Sequence, residues 1–203
     1  TFSPKFSDNT RLHLGAALSY RNTGSIDSVR FRERPESHVT NRRLVDTGSI
    51  NANDFTRVGL EAALISGPFS LESEYNYVDL NRANTALADL DFSGYYVQGS
   101  WFITGESIPY NAKKGTFGKP RVKGIVGKGG VGAWQLAMRF SSLDLNDADI
   151  NGGEEQNFSL GLNWYTTPNI RLSANYVNVL NVNGGSSAGD EPDAFQLRAQ
   201  VEF

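Results

Sequence analysis

The chain has 203 residues, 39% of them hydrophobic and 20% charged, with no cysteine and a formal net charge of -3. The missing thiols exclude a disulfide scaffold and a thiolate metal site, and the slightly acidic balance argues against nucleic acid as the main partner. No apolar run approaches the roughly 18–20 residues of a membrane-spanning helix, so the chain is either soluble or crosses a bilayer as strands.

The opening residues, Thr1-Phe2-Ser3-Pro4-Lys5, lack the basic start and apolar core of an export signal. An exported protein would therefore stand here in processed or partial form. From there, apolar and polar residues alternate with period two in segment after segment, which is the strand signature. Leu12, Leu14, Ala16, Leu18 and Tyr20 oppose Arg11, His13, Ser19 and Arg21. A shorter strand, Val29–Arg34, sets Val29 and Phe31 against Arg30 and Arg32. Val58, Leu60, Ala62 and Leu64 oppose Arg57, Gly59, Glu61 and Ala63, and Phe69, Leu71, Tyr75 and Tyr77 oppose Ser70, Glu72, Glu74 and Asn76. Tyr95, Val97, Gly99, Trp101 and Ile103 oppose Tyr96, Gln98, Ser100 and Phe102. Trp134–Phe140, Phe158–Trp164 and Ile170–Tyr176 repeat the pattern with Gln135, Arg139, Asn157, Asn163 and Arg171 on the polar side. Last, Phe195, Leu197, Ala199, Val201 and Phe203 oppose Gln196, Arg198, Gln200 and Glu202.

Most of these nine segments span about ten to twelve residues, against the five or six typical of soluble strands and the nine to eleven that a tilted membrane strand needs. Aromatic residues fall near strand ends, at Tyr20, Tyr77, Trp101, Trp134, Trp164 and Phe203, as expected of girdles at two membrane interfaces. Connections alternate between tight turns, Gly67-Pro68 and Thr166–Asn169, and longer polar loops, expected at Asn81–Ala88, Asp144–Gln156 and Val182–Ala194. If Phe203 lies at the periplasmic end, Gly105–Val131 falls on the periplasmic side. That segment is too long for a turn and is expected to fold into the lumen with Lys113, Lys114, Lys119, Arg121, Lys123 and Lys128. Single-chain bacterial barrels have even strand counts. Either Arg42–Ile50 supplies a tenth strand, or residues 1–203 are part of a larger barrel.

Several stretches resemble the phosphate-selective porins of the O and P type: RFRERPESHVTNRRLVDTGSI (Arg30–Ile50), GLEAALISGPFSLESEY (Gly59–Tyr75), GYYVQGSWFITGESIPYNAKKGTFGKP (Gly94–Pro120), GAWQLAMRFSSLDLND (Gly132–Asp147) and LGLNWYTTPNIRLSANYV (Leu160–Val177). The resemblance covers almost the whole chain but only the C-terminal half of the family's domain. It implies a sixteen-stranded antiparallel transmembrane β-barrel, of which this chain supplies about eight to ten strands. It further implies a homotrimer in the outer membrane of a Gram-negative bacterium, surrounded by bilayer lipid and lipopolysaccharide, with passive uptake of phosphate-type anions. No cofactor, metal or catalysis is implied.

If the apolar face meets lipid, the lumen receives Arg11, Arg21, Arg30, Arg32, Arg57, Arg139, Arg171 and Arg198, against Glu61, Glu72, Glu74 and Glu202. Acidic residues concentrate instead in the outer loops, such as Asp147, Glu154 and Asp190. A net acidic chain can thus have a basic interior. Guanidinium stays charged and binds phosphate oxygens with a planar fork, and rings of one sign choose the permeant ion. The bland alternative is that these arginines pair with glutamates across strands and hold the wall.

Other motifs are weaker. Asp147–Gly152 opens like a calcium loop but has Phe158 where the closing glutamate belongs, and a solvated acidic turn is favoured. Gly127–Gly132 invites a phosphate-loop reading, but no Ser or Thr follows Lys128. His13 could serve Ser19 in an esterase, without a serine motif or an orienting carboxylate. Glu72 and Glu74 share a face, which is weak evidence for a glycosidase pair. A soluble β-sandwich that binds carbohydrate is the competing architecture, and a small closed barrel used as an anchor or enzyme a third; the sandwich would bury the apolar face against a second sheet. The membrane reading makes Leu172→Arg destabilising, and makes glutamate at Arg139 and Arg171 a change of selectivity without unfolding.

Overall fold

The computed structural model describes residues 1–24 and 28–203. The elements that lie wholly within them are strands: β1 (Lys5–Ser7), β2 (Thr10–Asn22), β3 (Ser28–Val29), β4 (Arg32–Glu33), β5 (Val45–Asp46), β6 (Ile50–Ser66), β7 (Phe69–Arg82), β8 (Leu90–Phe102), β9 (Tyr110–Asn111), β10 (Thr116–Phe117), β11 (Ala133–Asp147), β12 (Ile150–Thr167), β13 (Ile170–Asn183) and β14 (Asp193–Val201). The long strands form one antiparallel meander in the order β1-β2-β6-β7-β8-β11-β12-β13-β14. Its edges are β1–β2 and β14, which are not paired with each other among the described residues. The sheet is open.

Strands outrun their alternating segments. β6 has 17 residues, β11 has 15 and β12 has 18. The alternation fades at one end because polar residues such as Asp144, Asn146 and Asn151 lie on a ladder still held by backbone hydrogen bonds. This corrects the loop expected at Asp144–Gln156: β11 and β12 meet in a tight turn at Ala148-Asp149, with Ala148 in the left-handed region (φ 47°). The strand expected at Val29–Arg34 is likewise replaced by two-residue pieces, Ser28–Val29 on β6 and Arg32–Glu33 on β5. Of Arg42–Ile50, only Val45–Asp46 pairs as an added strand, and Ile50 opens β6.

Register assigns the two faces. Leu12, Leu14, Ala16 and Leu18 stand opposite Leu64, Ala62, Leu60 and Val58, and Leu136 and Met138 stand opposite Leu162 and Leu160. These apolar rows lie on the outer face and are open to the surroundings: Leu18 is 75% exposed, Leu197 74%, Met138 51% and Leu60 50%. No second layer covers them among the described residues, which is where a sandwich would place its partner sheet. Stacked aromatics border this band at the turn end, Phe69 on Trp101 and Trp134 on Trp164. Both indole nitrogens of the second pair donate to the Val131 carbonyl, at 3.2 and 2.9 Å.

The larger buried apolar cluster is on the concave face, at the end away from Phe203, while Phe102 and Ala133 are buried at the other end. In the larger cluster a register shift between Ala52 and Asp54 brings Ile50 and Ala52 to the inner side together with Phe55. Val78, Leu80, Leu90, Phe92 and Leu145 complete the cluster, and Val29, Phe31 and Val45 reach down onto it from the 28–49 segment. Burying a side chain such as Leu80 or Val45 stabilises by about 1.5–3 kcal/mol, so this patch is what lays the segment over the sheet. A smaller cluster of Leu44, Val179 and Val182 fastens it on the β13 side.

Candidate functional site

The concave face is polar through its middle. Cross-strand rows run Gln98–Arg139–Ser159 and Ser100–Ala137–Gly161, followed by Asn163–Ser173–Arg198. Two connections fold against this face, 28–49 from one end and 103–132 from the other.

The structure divides the eight arginines by their partners. Arg139 is ion-paired: its Nε donates to Glu36 Oε1 at 3.0 Å, and its guanidinium lies 3.6 Å over the Tyr96 ring. Tyr96 Oη in turn donates to Glu74 at 2.8 Å. Arg30 and Arg32 are on the inward segment and not on the strand wall, because the strand expected there does not form. Arg30 forks onto Asp46 at 2.6 and 2.5 Å, and that guanidinium holds the Asp46 carboxyl below its ordinary range. Arg32 faces Asp46 across the β4–β5 pair.

The remaining five meet neutral neighbours. Arg11 donates to the Ser3 carbonyl at 3.0 Å and lies over Tyr110. Arg21 lies over Phe55. Arg171 donates to Gln200 at 2.7 Å and to the Tyr165 hydroxyl at 3.4 Å. Arg57 faces Ser19 and Val78, and Arg198 faces Ser173 and is exposed. Among the described residues none of these five has a carboxylate within salt-bridge distance.

The 103–132 connection crosses the other end of the concave face. Tyr110 Oη and His13 Nδ1 are 2.5 Å apart, and His13 Nε2 is 3.0 Å from Glu61. Gly15 lets the Glu61 side chain lie across β2 here: a Cβ there would fall 2.2 Å from Glu61 Oε1 and turn that side chain away. At the opposite edge Lys119 pairs with Glu202, whose carboxyl is held low by that ammonium. The connection thus ties β2 to the end of β14. Lys123 Nζ is turned back onto the Gly105 carbonyl at 2.5 Å, while its backbone N–H donates to the buried Glu106 at 3.3 Å. Lys113, Lys114, Arg121 and Lys128 are exposed.

The weaker motifs resolve into structural contacts. Asp149 faces Arg82 at 2.6 Å, and Asp147 accepts the Asp91 N–H at 2.7 Å. Gly127, Gly129 and Gly132 take positive φ in the turn before β11. His13 engages Glu61 and Tyr110, and Ser19 stands six positions along β2 opposite Arg57. Reading the sequence missed Glu36, Glu155, Tyr110 and Arg82 as parts of this face. Continuing the inward parity of Asn157 and Ser159 back to Glu155 would have found that residue; the other three depend on contacts between segments far apart in the chain.

The model of a family described as phosphate-selective porin O and P matches residues 1–203. The chain belongs to that family. It is 28% identical over 238 aligned residues to Porin O of Pseudomonas aeruginosa, covering 100% of this chain and 51% of that porin. It is also similar to an uncharacterized protein of Caulobacter vibrioides, 34% identical over 177 residues, covering 86% of this chain and 35% of that protein. The chain therefore spans about half or less of the length of these curated relatives. In this porin-family chain the all-β antiparallel sheet is the expected architecture.

Proposed function

We propose that residues 1–203 are the C-terminal portion of an outer-membrane porin, a channel and not an enzyme. In this reading the two edges, β2 and β14, are completed by further strands into a closed barrel of sixteen. The barrel resides in the outer membrane of a Gram-negative bacterium as a homotrimer among lipid and lipopolysaccharide. Its lumen passes small anions of phosphate type by diffusion.

The observation that carries the proposal is the opposition of the two faces. One side of the sheet is a continuous apolar band open to its surroundings and rimmed by aromatic pairs. The other bears arginines, five of which have no carboxylate partner among the described residues. An exposed apolar area of this extent is stable only against lipid or another apolar surface. Arginines held by neutral partners such as Gln200 and Tyr165 keep their charge for a passing anion.

The test is electrical. The full-length protein reconstituted in a planar bilayer under a potassium chloride gradient should carry current, with a reversal potential on the anion-selective side. A cation-selective reversal potential, or no current, refutes the proposal.

A further inference from the structure

We infer that the cavity between the 28–49 segment and the sheet is a binding site for a small zwitterion, a solute with a primary ammonium and a phosphate-type group. The inference rests on the porin reading only for the route by which such a solute arrives.

The cavity has a volume of about 470 Å³, within the range of small-molecule sites. One pole lies on the wall. Glu155 is 2% exposed and Asn157 6%. Asn157 Nδ2 donates to Glu155 Oε1 at 2.7 Å, leaving Glu155 Oε2 and Asn157 Oδ1 buried with no donor among the described residues. Both residues line the cavity. A buried carboxylate oxygen without a donor is costly and uncommon in folded proteins. Two unmet acceptors, on residues two apart along the inner face of β12, suit the N–H donors of an ammonium group.

The other pole is cationic. Arg34 reaches the cavity from the inward segment with its two terminal nitrogens held by His38 and Asn41, at 3.3 and 3.0 Å, and its Nε buried with no acceptor. Arg57 lines the same space from β6. Between the poles, Arg139 and Glu36 neutralise each other.

A plain anion would meet the guanidinium groups but face Glu155, Glu33 and Glu74 across the same space. A plain cation would meet Glu155 but face Arg32, Arg34 and Arg57. A ligand with both charges supplies a charged donor to the wall and a charged acceptor to the inward segment at once.

Calorimetry on the full-length protein in detergent tests this with 2-aminoethyl phosphate, ethyl phosphate and ethylammonium. We expect 2-aminoethyl phosphate to bind at least about tenfold more tightly than ethyl phosphate, the gain of one charge-assisted contact. Glu155→Gln should abolish that advantage without weakening ethyl phosphate, whose opposing charge it removes. Arg34→Gln should weaken 2-aminoethyl phosphate about tenfold without weakening ethylammonium. Equal affinity for the two phosphates in the native protein overturns the site, whichever variants fold, and so does an advantage that survives Glu155→Gln. A pore that conducts but shows no such preference refutes this inference and leaves the porin reading intact. Preferential binding by a protein that passes no current does the reverse.

Discussion

Placing one arginine at successive depths of the outer face measures whether that face meets hydrocarbon. On β12 the outward residues run Phe158, Leu160, Leu162 and Trp164. Six residue steps at about 3.4 Å make about 20 Å along the strand, or about 15 Å along the membrane normal at a tilt of about 40°. Leu162 is within about 3 Å of the midpoint of that span, with apolar Leu136 and Ala174 directly opposite it on the flanking strands. An arginine near the midplane costs about 2–4 kcal/mol, falling to about 0–1 kcal/mol near the interface. Leu172 is paired with Trp164, so it sits at the aromatic rim and belongs to the second class. The structure thus moves the costly position from Leu172, a natural choice on sequence, to Leu162. Reversible urea unfolding of the full-length protein in lipid vesicles should show Leu162→Arg less stable than Leu172→Arg by about 2 kcal/mol. Equal losses at both positions, or none at Leu162, would mean that this face is not buried in hydrocarbon and would remove the basis of the porin assignment.

Charge reversal on the inner face should separate wall arginines from the one that holds the inward segment. Arg171→Glu with Arg198→Glu should shift the reversal potential toward cations with little change in unfolding midpoint, whereas Arg139→Glu should also cost about 1 kcal/mol by leaving Glu36 facing a like charge; a purely selective effect at Arg139 would contradict its tethering role. Tyr110→Phe removes the hydroxyl from His13 and should raise the rate of tryptic cleavage at Lys113 and Lys114, measured by mass spectrometry, without lowering the stability of the sheet. The Arg82 guanidinium holds the Asp149 carboxyl below its ordinary 3.8, so this tie is complete above that pH and is lost as acid protonates Asp149 at a lower one. Protection of the 147–150 turn from hydrogen exchange should therefore fall only below about pH 4, and Asp149→Asn should show the reduced protection already at neutral pH. Gly132 has φ 78°, and a Cβ there would meet Trp164 Nε1 at 2.6 Å. Gly132→Ala should cost about 1–3 kcal/mol and alter the tryptophan fluorescence of the Trp134–Trp164 stack.

Residue order alone determined which side of each strand is apolar. A period of two needs no partner to be read, and register then carried Leu12, Leu60, Leu71, Val97, Met138, Leu160 and Leu197 to a common face. It also determined the tight turns at Gly67-Pro68 and Pro168-Asn169, where local chemistry sets the chain direction. It did not reveal how far the strands extend, because beyond the apolar band both faces are polar or covered and the ladder continues on backbone hydrogen bonds alone. Nor did it reveal that residues 28–49 lie across the concave face. That arrangement depends on Val29, Phe31 and Val45 finding Leu80, Leu90 and Phe92 from other strands, a match between segments that carry no mutual signal in the sequence. The same docking decides which arginines keep their charge for solutes. Arg139 loses its independence to Glu36, which is distant in the chain, while Arg171 donates its hydrogen bonds to neutral groups of β12 and β14. A side chain's face follows from local periodicity; its partners follow from the tertiary fold, because charge pairing acts through space and takes no account of chain order.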